Sequence, residues 1–237
     1  MRWASVRPRS GTDRLPTAGP HGRHSEACGR PLPRAFYDRS AVVLARAVLG
    51  RRLVSEQPEG RVAGIVVETE AYRGARDPAS HAFRGETMRN RVMFGPPGHA
   101  YVYLIYGVHL CLNLVAEPEG RAAAVLVRAL APIEGEDLMR ARRGVDAWER
   151  LARGPGNLGV ALGLTRAHDG VDLTAGPLWL SGLPPRRFGR ATVAGPRIGV
   201  RQGLEQRWRF HLDGHPCVSG RREGGAGPRF PESSIRG

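Results

Sequence analysis

The stretch from His99 to Leu130 constrains the fold more than any other. Gly95-Pro96-Pro97-Gly98 breaks the chain first, because proline fixes φ and lacks a donor while glycine opens left-handed backbone. Two apolar segments follow at about 99–105 and 108–115, with Tyr106-Gly107 between them. So short a connection joins antiparallel neighbours, so the pair is expected to be a β-hairpin. Glu117-Pro118-Glu119-Gly120 then turns the chain into a third strand, Ala122 to Leu130. Upstream, the β-branched run from Val62 to Glu70 reads as a buried strand.

The remaining elements are shorter. Asp38 or Ser40 can cap a helix through Val48, with Gly50 as its stop. Asp77-Pro78 is expected to open a short helix carrying His81, and Thr87 to cap a short turn. Helices are predicted at 134–143 and 155–163, and short strands near 177–181, 191–200 and 207–212. Strands and helices mix without regular βαβ alternation. The expected fold is therefore α+β: a single domain with a curved, largely antiparallel β-sheet, surrounding helices and a protruding hairpin.

Composition brings in the partner. The formal net charge is +14, with all 36 basic residues arginine and none lysine. So basic a chain usually meets a polyanion, most often nucleic acid. Codon drift in a GC-rich genome is the competing source of the charge, since such codons encode Arg, Gly, Pro and Ala. The lack of lysine excludes Schiff-base chemistry on a side-chain amine, so a lyase would need the N-terminal amine.

Three widely spaced cysteines, Cys28, Cys111 and Cys217, fit neither a disulfide framework nor a zinc site. They point to a reduced, cytoplasmic protein. No apolar run approaches the roughly 20 residues of a membrane span. Residues 1–33 read as a disordered basic N-terminal extension and 220–237 as a flexible C-terminal tail, leaving 34–219 as the folded domain.

Candidate chemistry gathers in the middle of the chain. Strand alternation puts Glu68, Glu70 and Tyr72 on one face where the buried strand runs out. Taken alone, such a pair reads as two solvated acids. The aromatic cluster that follows weakens that reading: four of the five tyrosines lie between positions 72 and 106. Tyr101 and Tyr103 share a sheet face, and Tyr106 sits at the hairpin tip, where a large ring buries little of itself and can wedge between base steps. Asn113 and Arg128 interrupt apolar strands and face either solvent or a ligand. His81 alone would be a structural histidine.

Val66-Val67-Glu68-Thr69-Glu70-Ala71-Tyr72, Ser80-His81, Thr87-Met88-Arg89-Asn90-Arg91 and Tyr101-Val102-Tyr103-Leu104-Ile105-Tyr106-Gly107 carry a resemblance. So do Cys111-Leu112-Asn113, Val125-Leu126-Val127-Arg128-Ala129, Gly154-Pro155-Gly156-Asn157-Leu158 and Arg197-Ile198-Gly199-Val200. In this order and over 34–219 the chain resembles the alkyladenine (3-methyladenine) DNA glycosylases of vertebrates and many bacteria.

The resemblance implies a monofunctional DNA repair glycosylase. It would flip alkylated or deaminated purine nucleotides out of double-stranded DNA and hydrolyse the glycosidic bond. Glu70 would be the general base. Tyr72 would stack on one face of the flipped base, with His81 and Tyr103 on the other. Asn113 would line the pocket floor, where it disfavours the exocyclic amino group of guanine, and Ile198 the wall. Tyr106 would intercalate. Arg128, Tyr101, Arg89 and Arg91 would support the site or contact DNA. No cofactor and no metal is implied, and a monomer is expected. One departure stands out: Asn157 occupies a position that is Lys in the vertebrate family members.

Three other readings remain, a degenerate homologue of that family being one of them. A non-catalytic nucleic-acid-binding module of the same fold would have lost Glu70 or the stacking aromatics, and all are present. A nuclease or amidohydrolase would need acids or histidines clustered for metal, and no histidine joins Glu68 and Glu70 at ligand spacing.

Overall fold

The computed structural model describes residues 29–220; most of the expected N-terminal extension and C-terminal tail lies outside them. Residues 29–33 run beside the domain: Pro31 bridges to Ser181, and Leu32 is buried and donates its N–H to Leu180. A four-residue helix α1 (Arg34–Tyr37) leads into α2 (Ala41–Val48). Ser40, not Asp38, caps α2, its hydroxyl accepting the Val43 N–H. Strands β1 (Arg52–Gln57) and β2 (Gly60–Tyr72) follow, then β3 (Ala100–Ile105), β4 (His109–Ala116) and β5 (Ala123–Glu134). Helices α3 (Glu136–Arg143) and α4 (Pro155–Ala161) precede the short strands β6 (Leu178–Leu180), β7 (Thr192–Gly195) and β8 (Arg209–Leu212).

Among the described residues, all eight strands join one curled sheet whose pairings are all antiparallel, with the main order β3-β4-β5-β2-β1-β6. The expected α+β class is what the chain adopts. At 13 residues, β2 is long enough to pair with β5 along one edge and with β1 and then β8 along the other. Three register shifts interrupt the β2–β5 ladder, two of them between Val66 and Thr69. Val67 on β2 and Arg128 on β5 have no cross-strand partner, and the offsets cancel between Val66↔Leu130 and Thr69↔Val127. Such bulges re-aim side chains beside sites.

Alternation separates two faces. Val102, Leu112, Leu114, Val125 and Val127 enter the main core with Leu44, Ala45 and Val48 of α2 and Leu158 and Ala161 of α4. Thr69 turns its hydroxyl to the Ala45 carbonyl of α2, at 2.9 Å. The alternate residues Tyr101, Tyr103, Cys111, Asn113, Ala124 and Leu126 line a cavity on the opposite face. Each large apolar side chain buried under the helices contributes roughly 1.5–3 kcal/mol. That stabilisation offsets the cost of keeping polar groups on the other face.

Besides β1, where no strand was expected, three segments near the cavity differ from expectation. The hairpin loop has three residues, Tyr106 to Val108, because Ile105 pairs with His109. The segment after Asp77 is a chain of turns and not a helix: Ser80, Phe83 and Gly85 each bond back three residues. Asp77 drives this, since its carboxylate takes the N–H groups of Arg73 and Ala79 and pairs with Arg197. The strand expected at 191–200 stops at Gly195, because Pro196 cannot donate to a ladder and Arg197 turns inward to Asp77. No helix among the described residues is long and apolar enough to cross a membrane.

Candidate active site

The cavity measures about 700 Å³, within the range of small-molecule sites. Its floor is sheet: Tyr72 of β2, Tyr101 and Tyr103 of β3, Asn113 of β4, and Ala124 and Leu126 of β5. Its rim is loop: Pro78 to Arg84 on one side and Ile198 to Gln202 on the other, with Tyr106 reaching in from the hairpin. Tyr72, His81, Tyr103, Tyr106, Asn113, Ile198 and Tyr101 therefore converge from six separate stretches of chain.

The aromatic rings form an ordered set. Tyr101 and Tyr103 stack with centroids 5.4 Å apart, and His81 stands edge-on to Tyr103 at 4.5 Å. His81 Nδ1 lies 3.0 Å from the Tyr101 hydroxyl, which fixes the imidazole plane. Burial and the nearby Arg89 hold the His81 pKa below its ordinary value, so the ring is neutral at neutral pH. Burial also pushes the Tyr101 hydroxyl up to about 12 and Tyr103 higher still. Asn113 donates its amide N–H to the Tyr101 carbonyl at 3.2 Å, which orients the floor.

Beside the cavity lies Glu70, fully buried. Its Oε1 accepts the Ile198 backbone N–H at 2.7 Å. Its Oε2 accepts the Tyr72 hydroxyl at 2.8 Å and lies 3.2 Å from Arg128 Nη1. Burial, and then the charge of Glu70, raise the Tyr72 pKa well above its usual value, so the phenol remains a neutral donor. Glu68 is not a solvated acid either. It is fully buried and binds Arg128 at 2.9 Å and Arg209 at 2.6 Å. Burial opposes its ionisation, yet these two guanidinium groups hold its carboxyl below the usual range.

The Tyr72 ring is braced from behind. Arg197 Cζ sits 4.8 Å from the ring centroid and pairs with Asp77 through both guanidinium nitrogens, both side chains being fully buried. Asp77, Arg197, Arg209 and Ser219 were not singled out by sequence reasoning as site residues. Their partners lie 120 to 151 residues away along the chain, so no local pattern reports them.

The expected DNA-contacting residues sit at the edge. Tyr106 is 86% exposed at the hairpin tip with a positive φ of 52°, a conformation rare for so large a side chain. Arg89 donates to the Leu104 carbonyl at 2.8 Å and so is tied to the hairpin. Arg91 lies exposed in the 3-10 turn Arg91–Phe94. Asn157 donates to the Arg153 carbonyl at 2.8 Å, a contact from α4 to the residue just before its N-cap.

The site is thus a buried carboxylate behind an aromatic-walled cavity, with an exposed tyrosine at the tip of the neighbouring hairpin, in a strongly basic chain. The chain belongs to the methylpurine-DNA glycosylase family, whose model matches residues 35–216. It is 51% identical over 198 residues to a protein of Methanocella arvoryzae, covering 81% of this chain and 98% of that one. It is 48% identical over 194 residues to a protein of Rhodopseudomonas palustris strain HaA2, covering 81% and 92%. A protein of Streptomyces avermitilis is 49% identical over 197 residues, covering 80% and 91%. All three carry the provisional name 3-methyladenine DNA glycosylase.

Proposed function

We propose that the protein is a monofunctional DNA glycosylase. It extrudes an alkylated or deaminated purine nucleotide from duplex DNA into the cavity, hydrolyses its N-glycosidic bond, and leaves an abasic site. The observation that carries this reading is the Glu70 carboxylate, buried beside an aromatic-walled cavity and held by Arg128, Tyr72 and the Ile198 N–H.

A base inside the helix is out of reach, and extrusion costs a few kcal/mol, least for a damaged pair. Tyr106 would fill the gap in the stack. Alkylation at N3 or N7 leaves the purine cationic. Stacking against Tyr72 on one side and against His81 and Tyr103 on the other would gain about 0.5–2 kcal/mol from the cation over each ring face. A neutral His81 adds no repulsion.

In the chemical step the C1′–N bond breaks as an oxocarbenium-like sugar forms, and water adds to C1′. Glu70 takes the proton of that water and faces the developing charge. The alkylated base departs as a neutral molecule, carrying the bond's electron pair. Each carboxylate oxygen accepts about two hydrogen bonds. Oε2 accepts the Tyr72 hydroxyl and carries the ion pair with Arg128, while Oε1 accepts one N–H among the described residues, so Oε1 is the oxygen better placed to receive a water. Arg128 fixes the position of the carboxylate.

The same reading makes the enzyme a monomer acting on the chromosome in the cytoplasm. The test is Glu70→Gln on duplexes carrying one damaged purine, scored by alkaline cleavage at abasic sites. Loss of about 10²- to 10⁴-fold in rate with retained duplex binding is the expected outcome. If the wild-type protein binds the duplex and releases no base, the protein is a binding module instead.

A further inference from the structure

The glycosylase reading assigns Arg128 to Glu70, but Arg128 is itself held from behind. Glu68 Oε1 accepts Nε–H donors from both Arg128, at 2.9 Å, and Arg209, at 2.6 Å. Its Oε2 accepts the backbone N–H of Ser219 at 2.6 Å. Ser219 closes the arrangement twice more. Its hydroxyl lies 3.2 Å from Arg128 Nη2, and its carbonyl accepts Arg209 Nη2 at 2.7 Å. The approach of this segment is fixed as well, since Arg153 Nε donates to the Val218 carbonyl at 2.9 Å and Cys217 is fully buried.

We propose that Glu68 and Ser219 are positioning residues: together they hold the Arg128 guanidinium in register with the Glu70 carboxylate. Residues 217–219 thus act as a strap across the back of the site. The inference rests on the glycosylase reading and extends it to residues far from the cavity.

Three features carry it. Arg128 sits at an irregularity of β5 with no cross-strand partner, so the ladder alone does not set its side chain. Two of its nitrogens are engaged, one by Glu68 and one by Ser219 of the strap, which leaves Nη1 aimed at Glu70. Finally, Glu68 faces three donors and no solvent, an arrangement far more extensive than stabilising a strand end requires. Without the strap, Arg128 would swing onto Glu70 with two nitrogens and occupy the oxygen meant for water.

Two variants of the full chain test this. Glu68→Gln keeps one oxygen acceptor but sets an amide N–H against the Ser219 N–H. Ser219→Ala removes only the hydroxyl. A displaced catalytic group of this kind costs up to about 10²-fold in kcat. The expected result is a fall of that order for Glu68→Gln and of a few-fold for Ser219→Ala. KM and duplex affinity should stay within twofold. In ¹⁵N-labelled protein, the Nε–H resonance of Arg128 should move in both variants. Equal effects on kcat and KM, or unchanged kcat in both, overturn the proposal. If Glu68→Gln does not fold, Ser219→Ala decides. The resonance separates this inference from the one beneath it. If the wild-type chain releases no purine, the glycosylase reading fails, and an Arg128 signal indifferent to Ser219→Ala refutes the strap on its own.

Discussion

Asp77→Asn should separate two kinds of substrate. Arg197 is fully buried, pairs with Asp77 through two nitrogens, and lies 4.8 Å behind the Tyr72 ring centroid. Paired, the guanidinium is neutralised; unpaired, it is a bare cation behind a stacking surface. A base stacked on the front of that ring would sit about 8 Å away, where a unit charge costs a cationic ligand about 2 kcal/mol at an effective dielectric constant of about 20. That energy is roughly a thirtyfold change in rate or binding. A neutral lesion is spared it. Single-turnover excision of N7-methylguanine and of hypoxanthine from matched duplexes should therefore show the ratio of the two rates falling by about that factor. The variant also breaks a buried pair, which costs about 3–5 kcal/mol. For a domain of this size the midpoint of thermal unfolding should drop by roughly 6–20 °C. Adding Arg197→Met removes the stranded charge and should restore most of both. An unchanged substrate ratio in Asp77→Asn, with the fold intact at the assay temperature, would refute the electrostatic reasoning.

Other expectations follow from the same geometry. Tyr106→Gly should stabilise the fold by up to about 1 kcal/mol, because the positive φ then costs nothing, while weakening excision; chemical denaturation and duplex kinetics read the two opposite signs. For His81, a folded pKa below the ordinary value means that the unfolded chain takes up the proton first as pH falls. Its contribution to stability is thus intact above about pH 6.5 and is lost below it, and a charged imidazole would also repel a cationic base. Excision of 7-methylguanine should fall with acid in this range faster than that of hypoxanthine, and His81→Gln should flatten the difference. Duplex affinity should weaken steeply between low and high salt, as phosphate contacts by arginine demand; a flat titration would argue against a DNA-facing basic surface.

Much of this was legible in the sequence, for physical reasons that differ by residue. The hairpin and β5 announced themselves through turn chemistry between apolar segments, whereas strand alternation only put Glu70 and Tyr72 on one face, and an expected role for Glu70 came with the family resemblance. The aromatic floor followed from period two. What local pattern could not show was pairing. Asp77 before Pro78 carries every mark of a helix start, yet its carboxylate is claimed by Arg197, 120 residues on, and the chain turns instead. Glu68 looked like surface because nothing nearby in sequence could neutralise it. Its partners Arg209 and Ser219 arrive only when β8 docks on β2. Arg128 was ambiguous between solvent and ligand for the same reason.

The division of the cavity into a sheet floor and a loop rim has a consequence for how such a protein can change. Glu70, Asn113 and Arg128 sit on strands whose reverse faces make the core, so altering their neighbourhood risks the whole domain. His81, Phe83 and the stretch from Ile198 to Gln202 lie on turns that carry little of the core. The range of lesions accepted can therefore drift, or be redirected in the laboratory, through a dozen rim positions, while the hydrolytic step below them is inherited unaltered.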